Sequence, residues 1–217
     1  MKISEIFIQS LKIRDYLKKQ NDFSENPIDS SLLPVPSFRI TNKIKLIILG
    51  QDPTVKKENS RQKIEYTLNL DRSGALKNYI SKICEQLGID FENIYVTNVI
   101  KYFYTEPPKR TFHVLQSHLP KNLELLINEI SYYPHIPIIT LGLPVLQLLT
   151  DEEAQVNYYW AYNNKTRQTS GNFKFCHAED NKLKRDFFPL PHQPSVNKGF
   201  YKNTVGEYLK FILKKIK

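Results

Sequence analysis

Residues 44–50, Ile-Lys-Leu-Ile-Ile-Leu-Gly, are the stretch of sequence that decides the fold class. A short run of branched apolar residues that stops at a glycine is typical of a strand buried on both faces of a sheet. IYVTNV at 94–99 and IPIITL at 136–141 have the same form, and helical patterns at 75–87 and 119–130 separate the three runs. Strands that alternate with helices predict an α/β fold with a central parallel sheet and helices on both faces.

The flanking segments complete this prediction. A helix at 3–20 and a proline-containing connector together fill residues 1–41. Apolar residues at 173–177 and 186–189 predict two further strands, and the spacing of apolar residues and lysines predicts an amphipathic helix at 202–217. No repeat or composition change marks a boundary, so we expect all 217 residues to form a single domain.

Composition favours a protein that binds a polyanion. Of 217 residues 41% are hydrophobic and 12% aromatic, and the formal net charge is +9. This charge favours a polyanionic partner such as nucleic acid, and a generic basic surface is the alternative. The N-terminus resembles neither a signal peptide nor a membrane span, and Cys84 and Cys176 are the only cysteines. Two isolated thiols are typical of a protein in the reducing interior of the cell, so we expect an intracellular, cytoplasmic protein, and we expect it to be a monomer. Neither the cysteines nor the histidines show metal-ligand spacing, so we expect no metal or cofactor.

Polar residues cluster where the predicted strands end, which is where α/β sheets bind ligands. Asp52 follows the first strand in the sequence GQDPT, and Asn98 lies within the apolar run at 94–99. Near the C-terminus, PHQPS places His192 and Ser195 in a segment stiffened by prolines. Each also has a structural interpretation: a turn cap for Asp52, a hydrogen bond to a neighbouring loop for Asn98, and a packing role for His192.

These motifs together resemble the uracil-DNA glycosylase superfamily. GQDP resembles its water-activating motif, and TNVIK at 97–101 resembles the TNVVK segment of the thermophilic, iron–sulfur members. SGAL at 73–76 is also similar to those members, and PHQPS looks like the family's HPS motif. Order and spacing match over residues 44–195, about two-thirds of the chain.

The resemblance implies a DNA glycosylase that flips a base out of the helix and hydrolyses its N-glycosidic bond. In that mechanism Asp52 orients a water and stabilises the sugar cation, while His192 stabilises the departing base anion. Asn98 pairs with the base edge, and the backbone near Gln51 binds a base carbonyl oxygen. Ser195, with lysine and arginine side chains, binds DNA phosphates. The resemblance therefore implies that these residues line one cleft with a basic rim.

The chain also departs from the family pattern. Thr54 replaces the tyrosine that excludes the thymine methyl in uracil-specific members, so we expect weaker discrimination against thymine. The cluster cysteines are missing, so no iron–sulfur cluster is expected. Strict alignment of PHQPS places Gln193 at the catalytic histidine, whereas one extra loop residue would place His192 there. We prefer His192 as the catalytic residue and assign Gln193 to base binding.

Several assignments stay open in the sequence. Tyr66 and Phe103 are both candidates for stacking on the base. The stretch around Tyr158 and Trp160, which mixes aromatic and basic residues, fits either a nucleic-acid surface or a buried strand with a polar loop. Two other functions also fit the whole chain: a catalytically silent nucleic-acid binder with the glycosylase fold, and a hydrolase of free nucleosides or nucleotides.

Overall fold

A computed structural model describes residues 3–108, 111–163 and 165–216. Residues 1–2, at the start of the predicted N-terminal segment, and Lys217, at the end of the predicted last helix, lie outside the described residues. Within the described part of the chain, no helix is both long enough and apolar enough to cross a membrane.

The elements alternate as the sequence predicts. The strands of the described residues are β1 (Ile28–Asp29), β2 (Phe38–Arg39), β3 (Leu46–Gly50), β4 (Ile94–Asn98), β5 (Phe103–Tyr104), β6 (Ile138–Leu141), β7 (Tyr162–Asn163), β8 (Gln168–Thr169) and β9 (Phe187–Leu190). The helices are α1 (Ile3–Gln20), α2 (Glu58–Arg61), α3 (Ala75–Leu87), α4 (Phe112–Ile130), α5 (Leu143–Leu149), α6 (Val156–Tyr159), α7 (Gln193–Val196), α8 (Gly199–Lys202) and α9 (Val205–Ile216).

Five strands form a mixed central sheet in the order β2-β4-β3-β6-β9. Strand β6 pairs in parallel with β3 on one side and with β9 on the other. Every residue of β3, β4, β6 and β9 is buried, as the continuous apolar runs predict. The predicted α/β fold class is therefore confirmed.

Three elements differ from their predictions. The strand predicted at 173–177 is wrong, because Cys176 alone pairs there, through an isolated bridge to Phe187. Helix α4 begins at Phe112 rather than 119, since Val114 and Leu115 extend its buried face, and Pro120 is accommodated within it. The final helix, α9, begins at Val205 rather than 202, because Lys202 belongs to the separate short helix α8.

Contacts between residues divide the chain into two compact units. The first comprises Met1–Phe38, Gly50–Asp71 and Val96–His135, and in it α1 packs against α4. The second comprises Arg39–Leu49, Arg72–Tyr95 and Ile136–Lys217, and in it α3 packs against α9. Each unit takes its residues from three separate stretches of sequence. The assignment of the whole chain to one domain stays a prediction.

Candidate active site

Gly50, at the end of β3, has no room for a side chain. A Cβ atom on this residue would lie 2.3 Å from Oδ1 of Asn98 and 2.9 Å from Cδ2 of Leu68. A carbon atom cannot approach an oxygen to that distance, so any larger residue would displace the Asn98 amide. The N–H of Val99 donates to the Gly50 carbonyl at 2.9 Å, which keeps the two strand ends together. Glycine is therefore required here for close approach of the backbone to Asn98.

The Asn98 amide is buried among the described residues and finds no hydrogen-bond partner there. Its side chain is 1% exposed, and neither Oδ1 nor Nδ2 has a hydrogen-bond partner among the described residues. An unsatisfied buried polar group costs about 1–3 kcal/mol, so such groups are rare in folded proteins. A ligand with one donor and one acceptor at adequate spacing would satisfy both atoms. The structural interpretation of Asn98, a hydrogen bond to a neighbouring loop, is wrong.

A buried ion pair supports the backbone of Asn98. Nζ of Lys101 lies 2.6 Å from Oε2 of Glu129 and donates to Oγ1 of Thr97 at 2.7 Å and to the Asn98 carbonyl at 2.9 Å. The Ser37 hydroxyl donates to Oε1 of Glu129 at 2.6 Å. Desolvation makes a buried ion pair a poor source of stability by itself, but its hydrogen bonds orient the groups around it. Lys101 therefore fixes the position from which the Asn98 side chain projects.

Asp52 is held in a tight turn directly after β3. Its Oδ1 accepts the N–H of Thr54 at 2.8 Å, and its Oδ2 accepts Nε2 of Gln51 at 2.8 Å. Desolvation by burial raises the pKa of the Asp52 carboxyl to about 6, although these hydrogen bonds and the charge of Arg61 lower it. A carboxyl with that pKa is roughly nine-tenths ionised at pH 7. Asp52 is therefore both a turn cap and a half-buried, partly desolvated carboxylate.

Thr54 and Arg61 stabilise the loop that carries Asp52. The Thr54 hydroxyl accepts the N–H of Tyr104 at 2.9 Å, which ties the loop to β5. The buried Arg61 guanidinium donates from Nε to the Val55 carbonyl at 2.8 Å. Thr54, at the position where the resemblance predicts a tyrosine, is therefore a small residue whose hydroxyl accepts a backbone hydrogen bond.

Leu68 is a site residue that sequence reasoning missed. Leu68 and Asn69 both have positive φ, +58° and +55°, in a turn that the buried Thr67 anchors through two hydrogen bonds to the Pro36 carbonyl. Left-handed backbone is strained for leucine, and such strain of about 1–3 kcal/mol concentrates at functional sites. It brings the Leu68 methyl beside Gly50. No local sequence pattern predicts this turn, because leucine rarely adopts a backbone conformation with positive φ.

The second motif loop lies in the second unit, after β9. The Gly142 N–H donates to the Leu190 carbonyl at 2.8 Å, and a Cβ on Gly142, whose φ is +97°, would meet Cβ of His192 at 3.3 Å. The Tyr79 hydroxyl donates to the Pro191 carbonyl at 3.1 Å. These contacts fix the backbone on which the imidazole is carried.

His192 is the N-cap of α7, and the N–H of Ser195 donates to its carbonyl at 2.8 Å. The His192 side chain is exposed, while Gln193 and Ser195 are half-buried. Desolvation by the surrounding protein atoms lowers the pKa of the His192 imidazole, so its neutral form is favoured at neutral pH. The shared cleft expected for Asp52 and His192 stays a prediction.

The aromatic candidates separate by burial. Phe103 is 2% exposed within β5 and has no free ring face for a base, whereas Tyr66 is 40% exposed and makes an edge contact with Phe38.

In the stretch that the sequence left open, Trp160 belongs to the core and donates from Nε1 to the Pro189 carbonyl at 2.9 Å. Tyr158 in the same stretch is exposed. The stretch is therefore both core and surface.

Within the described ranges, no group of three or more histidine, cysteine, aspartate or glutamate side chains is arranged to hold a metal ion. The two cysteines of the chain, both buried, do not fit a four-cysteine iron–sulfur cluster.

Comparison with known protein families gives a match that covers most of the chain. The family model of the uracil DNA glycosylase superfamily matches residues 38–215, which include both motif loops and most of the chain. A search of curated proteins finds no match. The chain belongs to the uracil DNA glycosylase superfamily.

Proposed function

We propose that this protein is a DNA glycosylase that excises uracil or a related damaged base from DNA. The observation that carries the proposal is the buried Asn98 amide, whose oxygen and nitrogen both lack a partner among the described residues. The imide edge of uracil presents an N–H donor next to carbonyl acceptors and so complements both atoms. A flipped base would remove the penalty of the unsatisfied amide, which couples base recognition to binding.

Asp52 supplies the negative charge in the proposed reaction. Its carboxylate orients the attacking water and stabilises positive charge on the sugar as the N-glycosidic bond breaks. The hydrogen bonds from Thr54 and Gln51 hold the carboxylate in place, and its pKa of about 6 keeps it largely ionised at neutral pH. The Gln51 side chain is used in this contact, so we assign base binding by Gln51 to its backbone.

His192 and its loop supply the remaining roles, in a part of the proposal that rests on motif order. The neutral imidazole donates a hydrogen bond to the departing base anion, and the lowered pKa of His192 favours that form. Gln193 assists base binding, and the Ser195 hydroxyl binds a phosphate oxygen. The net charge of +9 provides attraction for the DNA backbone.

Leu68 covers the base in this proposal. Cδ2 of Leu68 and Oδ1 of Asn98 lie 2.9 Å and 2.3 Å from the position that a Cβ atom on Gly50 would occupy. An aliphatic side chain gives less stacking area than an aromatic one, so we expect slow excision with weak base affinity. Thr54 is too small to exclude a 5-methyl group, so thymine should be discriminated less strongly than in relatives with tyrosine.

The test is excision from duplex and single-stranded oligonucleotides that carry uracil, hypoxanthine, thymine opposite guanine, or other lesions, followed by alkaline cleavage. Excision of uracil should fall by about 10²-fold or more in Asn98→Ala and in Asp52→Asn. The matched control is Asp151→Asn, because exposed Asp151 caps the Glu153 N–H as Asp52 caps that of Thr54. Thr54→Tyr should increase the ratio of uracil to thymine excision.

The outcomes also separate the other two functions. Salt-sensitive DNA binding without excision of any lesion would identify a silent binder and refute the enzyme proposal. Hydrolysis of free nucleosides with no action on oligonucleotides would identify a nucleoside hydrolase. Equal excision by the wild type and Asp52→Asn would refute the catalytic role of Asp52.

A further inference from the structure

The second unit carries a groove of about 310 Å³ outside the motif loops. Its walls are Tyr158 of α6, the irregular segment at 173–177, and α9. The rings of Phe173, Phe175 and Phe211 line it together with Tyr158. This is the segment whose alternating apolar residues predict a strand, and it contributes rings to a surface instead.

These rings are accessible to a ligand. Tyr158 is 59% exposed, although its neighbour Tyr159 is almost completely buried. Phe173, Phe175 and Phe211 are each half-buried. Exposed aromatic rings grouped in a concave surface are unusual for a region without a binding role. The groove is therefore a candidate ligand site.

Two lysines lie over the ring faces. Nζ of Lys174 is 4.0 Å from the ring centroid of Tyr158. Nζ of Lys215 is 5.7 Å from the centroid of Phe175 and 5.9 Å from that of Phe211. Both lysines are exposed, and the ring quadrupoles attract their ammonium groups in the absence of a ligand. A flat ligand on the ring faces would displace the ammonium groups and leave them free to bind an anion.

We propose that this groove binds one nucleotide of a single-stranded nucleic acid. The base stacks on the Tyr158 ring and its neighbours, and Lys174 and Lys215 bind the flanking phosphates. A groove of 310 Å³ is at the lower end of small-molecule sites and accommodates a base. The Asp180 carboxylate, which also lines the groove, accepts a hydrogen bond from a base N–H.

The same features disfavour an acidic peptide. A peptide carboxylate would use the lysines but would leave the ring faces without a partner. A nucleotide uses the rings, the cations and the acceptor together. Binding here does not depend on the proposed glycosylase activity, because no motif residue lines the groove and the probe contains no uracil.

The experiment measures binding of the full chain to a fluorescently labelled, uracil-free oligothymidylate by anisotropy. Tyr158→Ala should weaken binding about 5- to 150-fold, the range expected for loss of one stacked base. Tyr158→Phe keeps the ring and should bind as the wild type does. Tyr132→Ala is the matched control, because Tyr132 is 60% exposed and does not line the groove.

The phosphate contact has its own control on the same helix. Lys215→Ala should make the negative slope of log affinity against log salt shallower by about 0.7, the value for one phosphate of a single strand. Lys214→Ala removes the same charge from an exposed position of α9 that does not line the groove, and should change the slope less. An abasic oligonucleotide should bind the wild type and Tyr158→Ala equally.

Three results would overturn the inference. The first is equal binding of oligothymidylate by Tyr158→Ala and Tyr132→Ala. The second is an effect of Tyr158→Ala on the abasic strand as large as on oligothymidylate, since stacking would then not be its cause. The third is Tyr158-dependent binding of polyglutamate in preference to oligothymidylate, which would assign the groove to an acidic peptide.

Discussion

Replacement of Asp52 by asparagine should stabilise the fold while it removes the proposed activity. Burial raises the pKa of the carboxyl from 3.8 to about 6. That rise corresponds to about 3 kcal/mol of unfavourable free energy when the folded protein holds the ionised form. Asparagine carries no charge and retains an oxygen for the Thr54 N–H, but its amide needs the Gln51 side chain to turn. We expect a gain of about 1–3 kcal/mol in the free energy of unfolding at neutral pH.

The pH dependence gives this prediction its sign. Because the folded-state pKa of Asp52 is above the unfolded-state value, protonation favours the folded protein. The wild type therefore has its full stability below about pH 4 and loses it as the pH rises through about 6. The Asp52→Asn variant does not titrate at this position. The difference between the two proteins should be smallest near pH 4 and should reach its maximum above about pH 7.

Urea unfolding of both proteins across that pH range measures the difference directly. Asp151→Asn is the control, since Asp151 makes the same type of turn hydrogen bond at an exposed position, and its stability should stay close to that of the wild type throughout. A stability difference for Asp52→Asn that does not change with pH would refute the reasoning. So would a variant that is less stable than the wild type above about pH 7.

Three other predictions follow from the first unit. The single-turnover rate of excision should rise about tenfold per pH unit below pH 6 and level off above it, and a flat profile would contradict the role of the Asp52 carboxylate. Arg61→Gln should move the midpoint of this pH profile upward, because the variant loses the cation that lowers the Asp52 pKa. Leu68→Gly should relieve about 1 kcal/mol of backbone strain, which urea unfolding measures. The same variant should slow excision in a turnover assay, and unchanged excision would exclude Leu68 from the site. Lys101→Met should reduce the free energy of unfolding by about 3–5 kcal/mol, because the buried Glu129 loses the cation that compensates it. The double variant with Glu129→Leu should recover much of that loss in urea unfolding, and a double variant as unstable as the single variant would refute the ion-pair explanation.

The sequence by itself determined the parts of this protein whose signals are local. Helix α3 has the predicted bounds because its apolar spacing ends at Gly88, which adopts the left-handed C-cap conformation with φ of +66°. Strands β3, β4 and β6 were predictable because strands buried on both faces need continuous apolar runs. The motif at Asp52 was predictable for the same reason, since a polar loop follows a buried strand at the edge where α/β sheets bind ligands.

Only the tertiary structure decided what each polar residue does. The Asn98 amide has no partner in the described part of the chain, and it fits there because Gly50, far away in sequence, has no side chain to occupy the same space. Leu68 reaches the site through a strained turn that is anchored to the Pro36 carbonyl, and Lys101 finds Glu129 on a distant helix. Sequence patterns report on neighbours along the chain, whereas burial and hydrogen bonding depend on residues that folding brings together, so these roles become visible only in three dimensions.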